Sequence, residues 1–178
     1  MNMHYVSFES IVTVVTGVGQ CVYDALADTA GGQPDRYCPL VPGAIAWDKC
    51  ECGQLAQSID SSYPSSAFPV AANETPSIPC GTQLVVFPVR LSLTRCVHGP
   101  SAEDQRAPKC DRLLADALVL EEDRWVVRRA ITCCLQVMGR EFRIANFAVG
   151  AATSVGPQGS CGGVELTYLV GLGSTCCG

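Results

Sequence analysis

Residues 111–138 read DRLLADALVLEEDRWVVRRAITCCLQVM, and the reading of this stretch decides the fold. It holds no Pro or Gly and is rich in Ala, Leu, Arg and Glu. Its apolar residues return every three or four positions, which is the period of a helix. At about 100° per residue, Leu113, Ala117, Leu120, Val127, Ile131, Cys134, Leu135 and Met138 share one stripe. Leu114, Leu118 and Trp125 form a second apolar strip beside it, so a wide buried arc is expected. Asp111 is placed to cap the first turn and Gly139 follows the last. A helix of this span is roughly 40 Å long, and we read it as the spine of the domain.

Arg124 falls near the centre of the apolar stripe. Either its stem packs while its head reaches water or Glu121, or its guanidinium enters a buried or intersubunit ion pair. The adjoining Glu121, Glu122 and Asp123 are followed closely by Arg128 and Arg129. Such a mixture reads as a solvated or intersubunit ion-pair face and not as an acid/base pair.

Upstream of the long helix, QLVVFPVRLSLTRCV (83–97) alternates Val85, Phe87, Val89, Leu91 and Leu93 against Arg90, Ser92 and Thr94. This is the strongest strand signal in the chain. Fifteen residues would run roughly 50 Å, and Pro88 lacks the N–H a ladder needs. The strand is therefore an edge at Pro88, bulged there, or split in two. GQLAQSIDSSY (53–63) reads as a half-buried strand, and residues 64–79 as a long loop available for partner contact. A Pro- and Gly-punctuated connector spans Gly32 to Asp48, with Trp47 as its anchor to the core. Before it, Ser7 to Asp28 reads as a first helix, stopped by Gly31-Gly32. Its β-branched residues make it a poor isolated helix, so packing must hold it. Gly17 and Gly19 either permit a close approach or merely weaken it.

Downstream, residues 98–109 form a charged loop into the long helix. Glu141 to Val149 reads as a strand with Phe142 and Ile144 facing opposite to Arg143, Ala145 and Phe147. Val164 to Val170 alternates again, and residues 151–163 read as the flexible tip of an antiparallel hairpin. The expectation is one α+β domain over 1–178: a mostly antiparallel sheet of about four strands with both helices on one face.

Composition bounds the function. Hydrophobic residues make up 48% of the chain and charged ones 16%, a lean charge complement that favours a surface partly covered by partners. A net charge of −5 argues against a nucleic-acid module, which carries a basic footprint. No segment reaches about 18 uninterrupted apolar residues, and the N-terminus lacks the basic region and small-residue site of a leader. A chain made in the cytoplasm, without a membrane span, is expected. There is no GxSxG, no GxxxxGK[ST] and no HExxH, so no enzyme, catalytic residue or cofactor is expected.

Twelve cysteines pull the other way. No CxxC is present, and the only histidines are His4 and His98, so Cys50-Glu51-Cys52 is a weak zinc signal and no metal site is assigned. Buried thiols or disulfides remain; Cys96 and Cys110 flank a polar loop and are the candidate pair.

PGAIAWDKCECGQLAQSIDSSYPSSAFP (42–69), LVVFPVRLSLTRC (84–96) and the long helix with RRAITCCL (128–135) resemble a family of head-to-tail connection proteins in tailed phages of actinobacteria. The resemblance covers about half the chain, roughly Pro42 to Leu135. The order of elements is similar to that of tail terminators of long-tailed phages. These are small α/β proteins that form a six-fold ring on the last tail-tube ring and meet the head's neck. The many cysteines depart from that pattern. The resemblance implies a virion protein whose partners are its own copies in a hexameric ring, the tail tube protein and the neck connector or stopper, with DNA passing without sequence-specific binding. Glu121, Arg124, Trp125, Arg128 and Arg129 are then the subunit-interface candidates. The rivals are another neck component, stopper or adaptor, and a disulfide- or zinc-stabilised binding module.

Overall fold

A computed structural model describes residues 8–45, 53–71, 82–99, 106–142, 144–158 and 160–175. His4, Trp47 and the Cys50-Glu51-Cys52 triplet lie outside the described residues. In chain order the elements are α1 (Phe8–Ala25, continued by a 3-10 turn over Leu26–Asp28), β1 (Arg36–Cys38), β2 (Gln54–Ile59) and β3 (Tyr63–Ser65). There follow β4 (Thr82–Cys96), α2 (Cys110–Glu141), β5 (Ile144–Val149), β6 (Thr153–Gln158) and β7 (Cys161–Thr175).

The centre of the molecule is a ladder, not a helix. β4 and β7 are each 15 residues long and run antiparallel in unbroken register from Thr82↔Thr175 to Cys96↔Cys161. Each long strand lends its outer edge to two short ones. β2 and β3 share that of β4, β5 and β6 share that of β7, and β1 joins β2 in parallel. The sheet is thus seven-stranded and mixed, which corrects the expected four-stranded antiparallel sheet; the α+β class stands. The missed strands are short. β1 and β3 have three residues each, below the length at which alternation shows, and β6 lies within the stretch read as a flexible tip.

Pro88 explains how a strand this long is tolerated. β2 pairs with β4 from Val89 to Thr94 and β3 from Leu84 to Val86, leaving Pro88 at the notch between them. The Asp60 N–H donates to the Pro88 carbonyl at 3.0 Å, so that edge of Pro88 faces the notch, where its missing N–H breaks no ladder. On the other edge β4 runs on uninterrupted against β7.

Alternation then sorts the faces. Val89, Leu91 and Leu93 of β4, with Leu166, Tyr168, Val170 and Leu172 of β7 and Leu55 of β2, are buried beneath the two helices. From above come Ile11, Val14, Val15, Val18, Val22 and Leu26, and from α2 Val127, Ile131, Cys134 and Leu135. By length and composition Glu9–Asp28 could cross a membrane, but its apolar side lies on this sheet. β2 is buried along four successive residues, not half-buried as its alternation implied. In β5 a bulge between Ile144 and Asn146 turns Ile144 and Phe147 to the same side, both against the core, where strict alternation had opposed them.

Candidate functional site

Two polar clusters lock the helices to the sheet. In the first, Arg95 follows Leu91 and Leu93 on the helix-covered face. Its Nε and Nη2 donate to the two carboxylate oxygens of Asp123 on α2, at 2.8 and 3.0 Å. The same guanidinium donates to the carbonyls of Gly31 and Gly32 at 2.9 and 2.7 Å, and Asp123 is fully buried. A charge taken out of water must be paired and saturated in this way. At Gly31 a Cβ would stand 2.9 Å from the guanidinium carbon, so a larger residue there would have to displace the paired Arg95 head.

In the second cluster the buried Tyr168 hydroxyl donates to Gln57 Oε1 at 2.7 Å. Gln57 Nε2 donates to the carbonyls of Val15 and Pro39 at 3.0 and 3.1 Å. Helix α1 comes this close because Gly19 has no side chain; a Cβ there would overlap the Gln57 amide and lie 2.7 Å from the Tyr37 hydroxyl. The close-approach reading of Gly19 holds, and Gly17 likewise leaves room for Met138. Burial, and then the charge of Asp24, pushes Tyr37 up to about 12, while burial holds Tyr168 well above the usual tyrosine range. A disulfide joins Cys21 of α1 to Cys134 of α2, with 6.5 Å between the α-carbons.

Beyond these anchors α2 leaves the sheet. Its 32 residues extend about 48 Å, and Asp123 is the first buried one. Leu113 and Ala117 of the expected core stripe are exposed, and Leu120 and Met138 are only half-buried. The second strip is open to solvent, with Leu114, Leu118 and Trp125 at 60, 63 and 63% exposure. This corrects the wide buried arc: Trp125 is exposed although Asp123 and Val127 beside it are buried, because the second strip is turned about 150° around the helix from the residues that face the sheet. Arg124 makes its ion pair with Glu121, one of the two readings left open above. Arg129 lies over the Trp125 ring at 5.2 Å, and Arg128 is exposed. The five interface candidates therefore gather around one uncovered flank, with Trp125 at its centre.

A cleft of about 150 Å³ opens between the overhanging half of α2 and the β6–β7 hairpin, lined by Val97, Leu113, Ala117, Leu120, Val155 and Pro157. At its rim the Asp116 carboxylate accepts from the His98 backbone N–H at 2.7 Å and lies 3.0 Å from Nδ1 of the same residue. The dyad was not singled out from the sequence, because 18 residues separate its members. The buried thiol nearest in sequence to the lining residue Gly162, Cys161, is pushed up by burial, opposite to the activation a nucleophile needs. Among the described residues no group of three or more His, Cys, Asp or Glu is placed to hold a metal ion.

The structure does not join Cys96 to Cys110. Arg95 points to the helices, so Cys96, its neighbour in the strand, points to the opposite face, in register with Cys161. Cys110 is a free, exposed thiol at the start of α2. Of the three expected loops, residues 64–79 include part of β3, and 72–79 lie outside the described residues. Residues 100–105 of the second also lie outside them, and 151–163 contain β6 and the first residues of β7.

No protein-family model matches this chain, and no curated protein matches it.

Proposed function

We propose that this chain is a structural protein of the neck of a tailed phage, a tail-terminator-like subunit that closes into a ring, hexameric as the resemblance implies. The ring caps the tail tube, ends its growth and joins it to the head connector. The observation that carries this reading is the uncovered flank of α2, where Leu114, Leu118 and Trp125 stand exposed among Arg124, Arg128, Arg129 and Glu121. An apolar strip rimmed by charge, on a helix disulfide-bonded to its neighbour and ion-paired to the sheet, is a surface for another protein chain. A closed ring needs head-to-tail contacts, in which this flank meets a different surface of the next copy. The net charge of −5 suits a channel through which DNA slides without sticking.

The test is the native mass of the purified chain, alone and with tail tubes, followed by electron microscopy of the product. A ring at tube ends supports the proposal. It is lost if the chain ignores tubes and stays a monomer. Leu118→Glu with Trp125→Glu is expected to abolish ring closure while leaving the unfolding free energy from urea titration within about 0.5 kcal/mol of the parent, since both residues are exposed.

A further inference from the structure

The uncovered flank of α2 has a second property, which the ring reading neither uses nor predicts. Asp111 and Arg129 are eighteen residues apart, about five helical turns, so they occupy the same angular position on the helix. Leu114, Leu118 and Trp125 fall within about 40° of one another beside that position. Reversing the helix about a two-fold axis near Leu120 brings position 111 opposite position 129. It also brings Trp125 opposite the Leu114 turn, and sets the two Leu118 side chains about one turn apart across the axis. The flank is complementary to itself in reverse.

We infer that the unassembled chain pairs with a second copy through α2, antiparallel, with Asp111 of each copy against Arg129 of the other and Trp125 seated between Leu114 and Leu118 of the other. Charge complementarity selects this occupant. From 124 to 140 the helix carries Arg124, Arg128, Arg129 and Arg140 and no carboxylate. In its overhanging half Asp111 is the charge beside the apolar strip, Arg112 is turned about 100° away from it, and Asp116 is taken up by His98 at the cleft. A parallel pairing in register would set Arg128 and Arg129 against their own copies. An antiparallel one sets Asp111 against Arg129, twice. The burial pattern fits the same geometry: the turns of α2 before Asp123, which bury no residue in their own fold, make up most of the length that lies on the second copy's helix. The contact is isologous and makes a pair, never a ring. Pairing and ring closure then compete for one flank, so the pair is the stored form and its opening precedes assembly.

The experiment is sedimentation of the full chain across a range of concentrations for the parent, Asp111→Arg, Arg129→Asp and the double exchange, with circular dichroism to confirm that α2 persists. The expected result is a dimer whose dissociation constant rises at least tenfold in each single variant and returns toward the parent value in the double. A monomer at every concentration overturns the inference and leaves the flank to a different protein. A ring whose mass ignores all three variants also overturns it while leaving the ring reading intact. A swap-sensitive dimer that never caps tail tubes supports the pairing and sinks the ring.

Discussion

Arg95 and Asp123 meet inside the protein as a bidentate ion pair, 2.8 and 3.0 Å across its two hydrogen bonds, with the carboxylate fully buried. The pair marks the first residue that α2 buries in its own fold, and through Gly31 and Gly32 it holds the end of α1 as well. Asp123→Ala strands a guanidinium with two carbonyl partners and no counter-charge. A loss of about 3–5 kcal/mol in urea unfolding is expected. The paired replacement Arg95→Met with Asp123→Leu should cost less than the sum of the single changes, because it removes both charges together. Additive costs would mean that the pair does not act as a unit.

Gly19→Ala tests the second anchor. The added methyl group meets the Gln57 amide and the Tyr37 hydroxyl, so either α1 shifts or Gln57 loses its hydrogen bond to Val15. A cost of about 1–3 kcal/mol is expected despite the better helix propensity of alanine. Gly43→Ala, where a Cβ meets nothing within 4 Å, separates this overlap from backbone strain at a positive φ of 71°.

What could be read in the sequence follows from the kind of signal each element carries. β4 was legible to within a residue because fifteen alternating positions outvote one proline. β1 was not, because three residues carry no period. Phe147 was assigned to the wrong face because a bulge adds a residue that sequence alternation cannot register. Periodicity located the apolar strips of α2 correctly, but it does not say what covers a strip, and for Leu114, Leu118 and Trp125 no part of the described fold does. Asp123 was taken as one of three surface carboxylates; its partner lies 28 residues away on a strand, a pairing only the fold reveals.

The Cys21–Cys134 disulfide links residues 113 apart, so it constrains a large part of the unfolded chain. In the chain-entropy account a closure of this size contributes about 4–5 kcal/mol. Reduction should lower the urea midpoint accordingly, and Cys21→Ala with Cys134→Ala should make stability insensitive to reductant. If reductant still destabilises that variant, another cysteine pair contributes.

Alkaline pH should unfold the protein ahead of general deprotonation. Tyr37 is pushed up from 10.0 to about 12, and Tyr168 shifts in the same direction. Below pH 10 both states keep these protons, and the contribution to stability is fully present. Between about 10 and 12 the unfolded chain releases protons that the fold retains, so stability falls as pH rises. Urea midpoints from pH 9 to 12 should decline, with a shallower slope in Tyr37→Phe. An unchanged slope would remove Tyr37 from the account.

Hydrogen exchange along α2 offers the sharpest view of how the uncovered flank behaves. The turns before Asp123 have no buried residue to hold them, and Lys109 at the N-cap makes no side-chain capping bond. A helical segment of about a dozen residues is marginal in water without tertiary contacts. In dilute protein, amides from 114 to 120 should therefore exchange quickly, while those from 127 to 135, under the core and the disulfide, approach the global limit. Raising the protein concentration should slow the first group and leave the second unchanged, because the amides from 127 to 135 are already held by the core and the disulfide whether or not a partner lies on the flank. Leu118→Glu should abolish that concentration dependence. Uniform protection in dilute monomer would show that α2 stands without a partner, and the argument from its exposed leucines to an assembly surface would lose its physical basis.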